Sequence, residues 1–295
     1  LNVLADKPMV IVPEQFPMLE KAFAEAAEKN VLLYDIMTER YEITSILQRE
    51  LAKIPEVFGK LQTGTAEEPA IIKESVHNFC KVVSGNALKR PAWFFDTTQQ
   101  GEGIVDVSTH LVDLVQWVSF PESTLKKEDV EMLSAKRWST DLTSEMFKKV
   151  TGLDQYPEFL KSSVENNILK VFSNGEINYR LRGVNARVTV IWNFEAPEGT
   201  GDTYSSTMKG SVCNIMIRQG AEQGFKPTLY IETNLKEGIA TFEAGLSKAI
   251  NQDLAATYPG IKLVKLSEKL WTVDIPEKYK EGHEAHFGRV TEKYL

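Results

Sequence analysis

Between Gly101 and Val118 the chain reads Gly-Glu-Gly-Ile-Val-Asp-Val-Ser-Thr-His-Leu-Val-Asp-Leu-Val-Gln-Trp-Val. Three of these residues could move a proton or grip a polar ligand: Asp106, His110 and Asp113. At about 100° per residue they fall, with Trp117, on one narrow stripe of a helix. Ile104, Val105, Val107, Leu111, Val112, Leu114, Val115 and Val118 cover most of the remaining circumference, so the spacing predicts a buried helix over 104–118. A solvent face would be wider and richer in Lys and Glu. A polar edge on such a helix lines a cleft, and a carboxylate buried there needs a partner. An Asp one turn before a His can orient the imidazole and raise its pKa, which suits a general acid/base. The same spacing serves a structural Asp–His hydrogen bond or a partly exposed helix edge, and geometry alone leaves these open.

Other candidates are scattered. Asp106 and His110 could share a cation, but no further ligands cluster near them in sequence. His77 follows a strand-like stretch. His283 and His286 sit in the polar tail without a third ligand in sequence and read as surface, so no metal is expected. Arg40, Arg90, Trp93 and Trp192 are sugar-facing candidates, because aromatic faces pack on sugar C–H groups and Arg binds hydroxyls; each could equally be core or rim. Cys80 and Cys213 lie far apart and read as small buried thiols.

The elements that must position the stripe follow from periodicity. Helical spacing from Phe16 to Ala27, a short strand at Val31–Tyr34 and a second helix from Tyr41 to Ile54 suggest part of a parallel α/β sheet, with too few units to complete one. After Gly59 come a strand at Ala70–Val83, the site helix, and then a strand-rich region. Ile168–Ser173 and Glu176–Leu181 flank Asn174-Gly175, which predicts a tight hairpin. Ala186–Phe194, Tyr204–Arg218 and Pro227–Thr233 continue as strands, Ile239–Thr257 as a helix, and Ile261–Val264 and Leu270–Ile275 as late strands. The expected fold is an α/β remnant over 1–58 and an α+β domain over 59–295 built on a large, mostly antiparallel sheet. A net charge of -7 excludes a nucleic-acid partner, since no basic field would draw in phosphates. No apolar run approaches the roughly 20 residues that span a bilayer, so no membrane partner is expected. The start is not signal-like, which points to a cytoplasmic protein. The chain opens without Met inside what looks like an element, Leu1–Leu4, and so reads as the later part of a longer protein.

Gly101–Trp117 resembles the G-G-G-x-x-x-D-x-G-x-H-x-x-D-x-x-x-W segment of the glucose–fructose oxidoreductase / inositol dehydrogenase (Gfo/Idh/MocA) family. Val3-Leu4-Ala5-Asp6-Lys7-Pro8 is similar to that family's E-K-P motif, which ends a late strand of its nucleotide-binding (Rossmann) domain. Glu39-Arg40-Tyr41, and Trp93 with Asp96, continue the pattern in order. The motif match spans residues 1 to about 120. From Asn185 onward the likeness is to a subgroup described as a putative oxidoreductase carboxy-terminal domain. Asp6 stands for the usual Glu, Glu102 interrupts the glycine triplet, and Ser108 replaces a glycine. The dinucleotide fingerprint itself is missing, since Gly101-x-Gly103 and Gly199-x-Gly201 lack the strand–turn–helix context it needs.

The resemblance implies a hydride transfer between NAD or NADP and a sugar or cyclitol hydroxyl. Lys7 would touch cofactor and substrate, Pro8 the cofactor, and His110 would take the hydroxyl proton. Asp106 would position substrate or imidazole, with Asp113 in support near the substrate. It also implies a homo-oligomer formed through the large sheet. The cofactor would be held by the full-length protein, with none bound by this chain alone. Two other readings remain: an NAD-dependent glycoside hydrolase of the same family, and a binding or assembly domain that retains the fold without turnover.

Overall fold

Val3–Ala5 pairs in parallel with Leu33–Asp35, Val3 opposite Leu33, and the helix Phe16–Glu28 makes the crossover between them. A parallel pair cannot be closed by a tight turn, so a long crossover is required, and here it contains the helix. In this computed structural model, which describes residues 1–83 and 86–295, that β-α-β unit precedes a much larger one. The helix Ile43–Ala52 joins the two. Glu42 caps it, its carboxylate accepting from the Thr44 and Ser45 amides at 2.8 Å each. Ile43, Leu47 and Leu51 bury against Ile215, Leu229, Ile231 and Trp271 of the large sheet.

That sheet has ten strands, nine in one path. In spatial order the path runs Lys262–Lys265, Leu270–Asp274, Thr228–Thr233, Cys213–Gln219, Thr203–Lys209, Ile71–Cys80, Val184–Glu195, Ile168–Leu181 and Val130–Leu142. The sheet is mixed, which corrects the expectation of a mostly antiparallel one. Ile71–Cys80 and Val184–Glu195 run parallel near the centre, and antiparallel ladders flank them. The residues between those two strands must cross over, and the helix Ile104–Ser119 lies within that crossover. Its Leu111 and Val115 enter the core under the parallel pair, whereas Val118 enters the core shared with Ile43–Ala52. One helix is thus wedged into both cores.

The hairpin expected at Asn174-Gly175 is not there: Ile168–Leu181 is one unbroken strand. The turn falls instead at Arg182-Gly183, where φ is 50° and 81°, between the paired Leu181 and Val184. Asn174 has a different task. Its buried amide donates to Thr140 Oγ1 at 2.8 Å and accepts from the Trp192 amide at 2.7 Å, next to an irregular register in the neighbouring strand. Gly175 lets the site helix approach, because a Cβ there would stand 2.1 Å from Ile104 Cδ1 and 2.9 Å from the Lys136 carbonyl oxygen. Tyr204–Arg218 also divides, into Thr203–Lys209 and Cys213–Gln219. Both cysteines are free and buried, as their isolation in sequence implied.

Lys73 is the odd group of the interior. It is fully buried and donates to Ser206 Oγ at 2.7 Å, with Tyr204 Oη at 3.3 Å and Gln48 Oε1 at 3.4 Å. Burial pulls its pKa down to about 7. Between that value and the ordinary 10.5 the unfolded chain binds more protons than the folded one, so this group makes stability rise with pH across the window. Urea denaturation from pH 7 to 9.5 should show that rise in the wild type, and Lys73→Met should flatten it. Gly175→Ala should lower stability by about 1–3 kcal/mol through overpacking against the site helix. An unchanged urea midpoint would mean the helix does not press on the strand there.

Candidate active site

The site helix begins where a short helix ends. Asp96 caps Thr97–Gln100, accepting from the Thr98 amide at 3.0 Å, and Gly101 turns the chain at φ 73°. Gly103 then lies against Ser173, where a Cβ would meet the serine Cβ at 3.0 Å. This seats the first turns of Ile104–Ser119 beside the end of strand Val3–Ala5, two residues beyond which Lys7 stands just before a cis Lys7–Pro8 peptide. Lys7 Nζ donates to Asp106 Oδ1 at 2.7 Å and to the Asp106 carbonyl at 2.5 Å. Burial would raise the Asp106 pKa, but the Lys7 charge and hydrogen bond hold it below the ordinary carboxylate value.

Asp106, Lys7 and His110 line a cleft of about 770 Å³. The expected Asp106–His110 hydrogen bond is absent, and Lys7 takes Asp106 Oδ1 instead. His110 Nδ1 is buried with no hydrogen-bond partner among the described residues. Its pKa is pushed down to about 4, first by burial and then by the Lys7 charge, with Glu39 and Asp106 opposing. This corrects the expected rise. The imidazole is therefore neutral near pH 7 and free to accept a proton.

The rest of the stripe leaves the cleft. Asp113 is nine-tenths buried and held in a bidentate pair by Arg40, whose Nε donates to Oδ2 at 2.7 Å. Trp117 lies under the Arg49 guanidinium at 4.9 Å. Arg40 lines a separate, smaller cavity with Tyr34, Asp35, Arg49 and Trp117. Trp93 is half-exposed and is not among the residues lining the cleft, nor is Pro8. Arg90 and Trp192 do line it, the guanidinium lying 5.0 Å over the indole. Trp192 is otherwise buried, with Nε1 unpartnered among the described residues.

The far wall carries residues to which the sequence assigned no role. Ser75 and His77 alternate onto one face of Ile71–Cys80. His77 Nε2 lies 2.7 Å from Ser75 Oγ, and its Nδ1 lies 3.0 Å from Asp202 Oδ2. The ring stacks on Trp192 with centroids 5.0 Å apart. Asp202 also binds Lys81, and takes the Asn78 amide at 3.2 Å. Burial would raise the Asp202 pKa, yet bonds from His77 and Lys81 hold it well below the ordinary range. Period-two spacing could have flagged Ser75 and His77; Asp202 comes from a distant loop. Glu39 and His283 close the cleft's rim, with His283 Nδ1 3.5 Å from Glu39 Oε1. His286, read as surface, is buried in the first turn of the helix His283–Tyr294.

Residues 47–295 match the family model described as "Putative oxidoreductase C terminal domain". The chain belongs to this family. It is 52% identical to a solved "putative oxidoreductase" from Parabacteroides merdae, with a TM-score of 0.95 over 100% of this chain and 67% of that one. GenD2 from gentamicin A biosynthesis, solved in complex with NAD, shares the fold at 16% identity and a TM-score of 0.52, over 100% of this chain and 62% of that one. So does the transcriptional regulator Gal80p from Kluyveromyces lactis, at 12% identity and a TM-score of 0.51, over 80% of this chain and 50% of that one. No curated protein matches the chain. Against solved structures the chain thus spans about half to two thirds of its relatives' length. Among the described residues no helix is long and apolar enough to cross a membrane.

The electrostatics of His110 can be checked directly. Lys7→Met should raise the His110 pKa from about 4, while burial keeps it below the ordinary 6.5. A histidine-resolved NMR titration reads this. A His110 pKa unmoved by the substitution would mean that Lys7 exerts no field on the imidazole.

Proposed function

We propose that the complete protein is an NAD(P)-dependent oxidoreductase acting on a hydroxyl of a sugar or cyclitol. One observation carries the reading: the Lys7–Asp106 pair and His110, whose buried Nδ1 has no hydrogen-bond partner among the described residues, line one large cleft. A cation and a free base at one point are what oxidation of an alcohol requires. Nicotinamide, when bound, supplies the hydride acceptor. His110 takes the hydroxyl proton, and the Lys7 ammonium, fixed by Asp106, stabilises the developing alkoxide until the carbonyl forms. Lys7 and Pro8 would meet the cofactor at the end of strand Val3–Ala5.

Across the cleft, Arg90, Trp192, His77 and Asp202 offer hydrogen bonds and an aromatic surface to a polyol. Arg40 and Asp113, tied to each other, would shape the site from behind; Trp93 would meet substrate only through its exposed face. Residues 1–58 form the end of a dinucleotide-binding domain in this reading, and 59–295 the substrate and oligomerisation domain. The helix Phe16–Glu28 supports this, since it buries none of its residues and leaves Met18 and Phe23 exposed for the rest of such a domain to cover. The long edge strand Val130–Leu142, with Met132 and Trp138 exposed, supports a homo-oligomer. A nicotinamide enzyme of this kind would draw on the cytoplasmic cofactor pool.

The fold is shared with a protein named as a regulator, so it does not choose between turnover and binding; the grouping of Lys7, Asp106 and His110 supports turnover. In the complete protein His110→Ala should lower kcat by about 10²–10⁴ while nicotinamide binding, read by fluorescence, stays near wild type. Turnover that survives the substitution would place the base elsewhere. Failure to bind either nicotinamide would favour the binding domain, and release of sugar from aryl-glycosides would favour the glycosidase.

A further inference from the structure

Glu39, His283 and His286 each present one ligand atom, and these atoms lie within 4.8 Å of one another. Glu39 comes from the 3-10 turn Thr38–Tyr41, and the two histidines from the first turn of the C-terminal helix His283–Tyr294, which packs on it. We propose that these three residues bind a divalent first-row transition cation of the zinc class at the rim of the cleft.

Three observations support this. First, the spacing is close to what an ion needs. Two ligands each about 2.1 Å from tetrahedral zinc stand about 3.4 Å apart, and Glu39 Oε1 and His283 Nδ1 are already 3.5 Å apart. Second, His286 is 5% exposed, and its Nδ1 is buried with no hydrogen-bond partner among the described residues. Such a group costs about 1–3 kcal/mol unless something satisfies it. Third, the donor chemistry is selective. Two imidazoles and one carboxylate suit zinc and its neighbours and disfavour magnesium or calcium, which take oxygen. Three protein ligands also leave a position open, as in catalytic rather than structural zinc sites. Glu39 and His283 line the cleft, so the site borders the space where substrate would lie.

The ion would pin the C-terminal helix to the unit that carries Lys7, and would offer a Lewis-acidic point to a substrate oxygen. The proposal does not rest on the cofactor assignment. Its test uses the complete protein without a polyhistidine tag, stripped with chelator and titrated with Zn²⁺ by calorimetry, with Mg²⁺ as control. One equivalent of Zn²⁺ should bind per chain, Mg²⁺ should not compete, and Zn²⁺ should raise the Tm. X-ray absorption should show two imidazoles in the zinc shell. Outer-shell losses cost about 10–100-fold in affinity, so His286→Ala, His283→Ala and Glu39→Gln should each lose at least that much. His283 is exposed, so its variant keeps the test valid if His286→Ala misfolds. Binding well below one equivalent, or undiminished in His283→Ala and Glu39→Gln, overturns the proposal. Neither result depends on turnover, so loss of the oxidoreductase reading would leave this measurement standing.

Discussion

Strands Ile71–Cys80 and Val184–Glu195 lie side by side and run in the same direction. Parallel neighbours cannot be joined by a turn, so the chain between residues 80 and 184 has to leave the sheet and return to it. What it carries on that excursion includes the helix Ile104–Ser119, and with it Asp106 and His110. The helix cannot drift, because glycines at 103 and 175 let it sit directly on the sheet, and its apolar residues fill two cores at once. The same parallel pair sets the opposite wall. Ser75, His77 and Trp192 come from its two strands, with His77 and Trp192 in register. Both sides of the cleft therefore depend on one pairing.

Within that frame a single ammonium organises the charges. Lys7 reaches Asp106 over 99 residues of sequence, and the consequence for His110 is larger than the contact itself. Had Asp106 been free, its charge one turn away would favour imidazolium. With Lys7 in place, the pull of the Asp106 and Glu39 carboxylates is opposed by an ammonium, and burial acts in the same direction as the ammonium. The outcome is an imidazole whose cationic form is disfavoured both by burial and by the ammonium beside it.

How much of this was legible follows from what each signal measures. Apolar periodicity found the site helix to within one residue, because burial on most of its faces leaves a pattern that other elements cannot produce. The same pattern said that its polar stripe must be satisfied, but not by whom. Asp113 was grouped with Asp106 and His110 because all three share a helix face. Helix spacing cannot reveal that Arg40 arrives over the later half of that face and removes Asp113 from the cleft. Asn174-Gly175 misled for a related reason. Both residues are common in tight turns, yet here the amide plugs an irregular register and the missing Cβ admits a helix, and neither demand is local.

His286 shows where sequence reasoning stops and packing begins. A polar, charged tail reads as solvent-facing, and for Arg289 and Glu292 it is. One turn of helix earlier the chain meets the turn that carries Glu39, and the imidazole is covered by a contact made across more than 240 residues. Hydropathy averages over neighbours in sequence, whereas a binding site is assembled from neighbours in space. The same holds for Asp202 and His77, whose own segments give them no role and which acquire chemistry only from what the fold sets opposite them. Groups whose partners lie one turn away can be found by spacing. Groups whose partners arrive from another element need the crossover that brings them there, and in this protein most of the cleft is of the second kind.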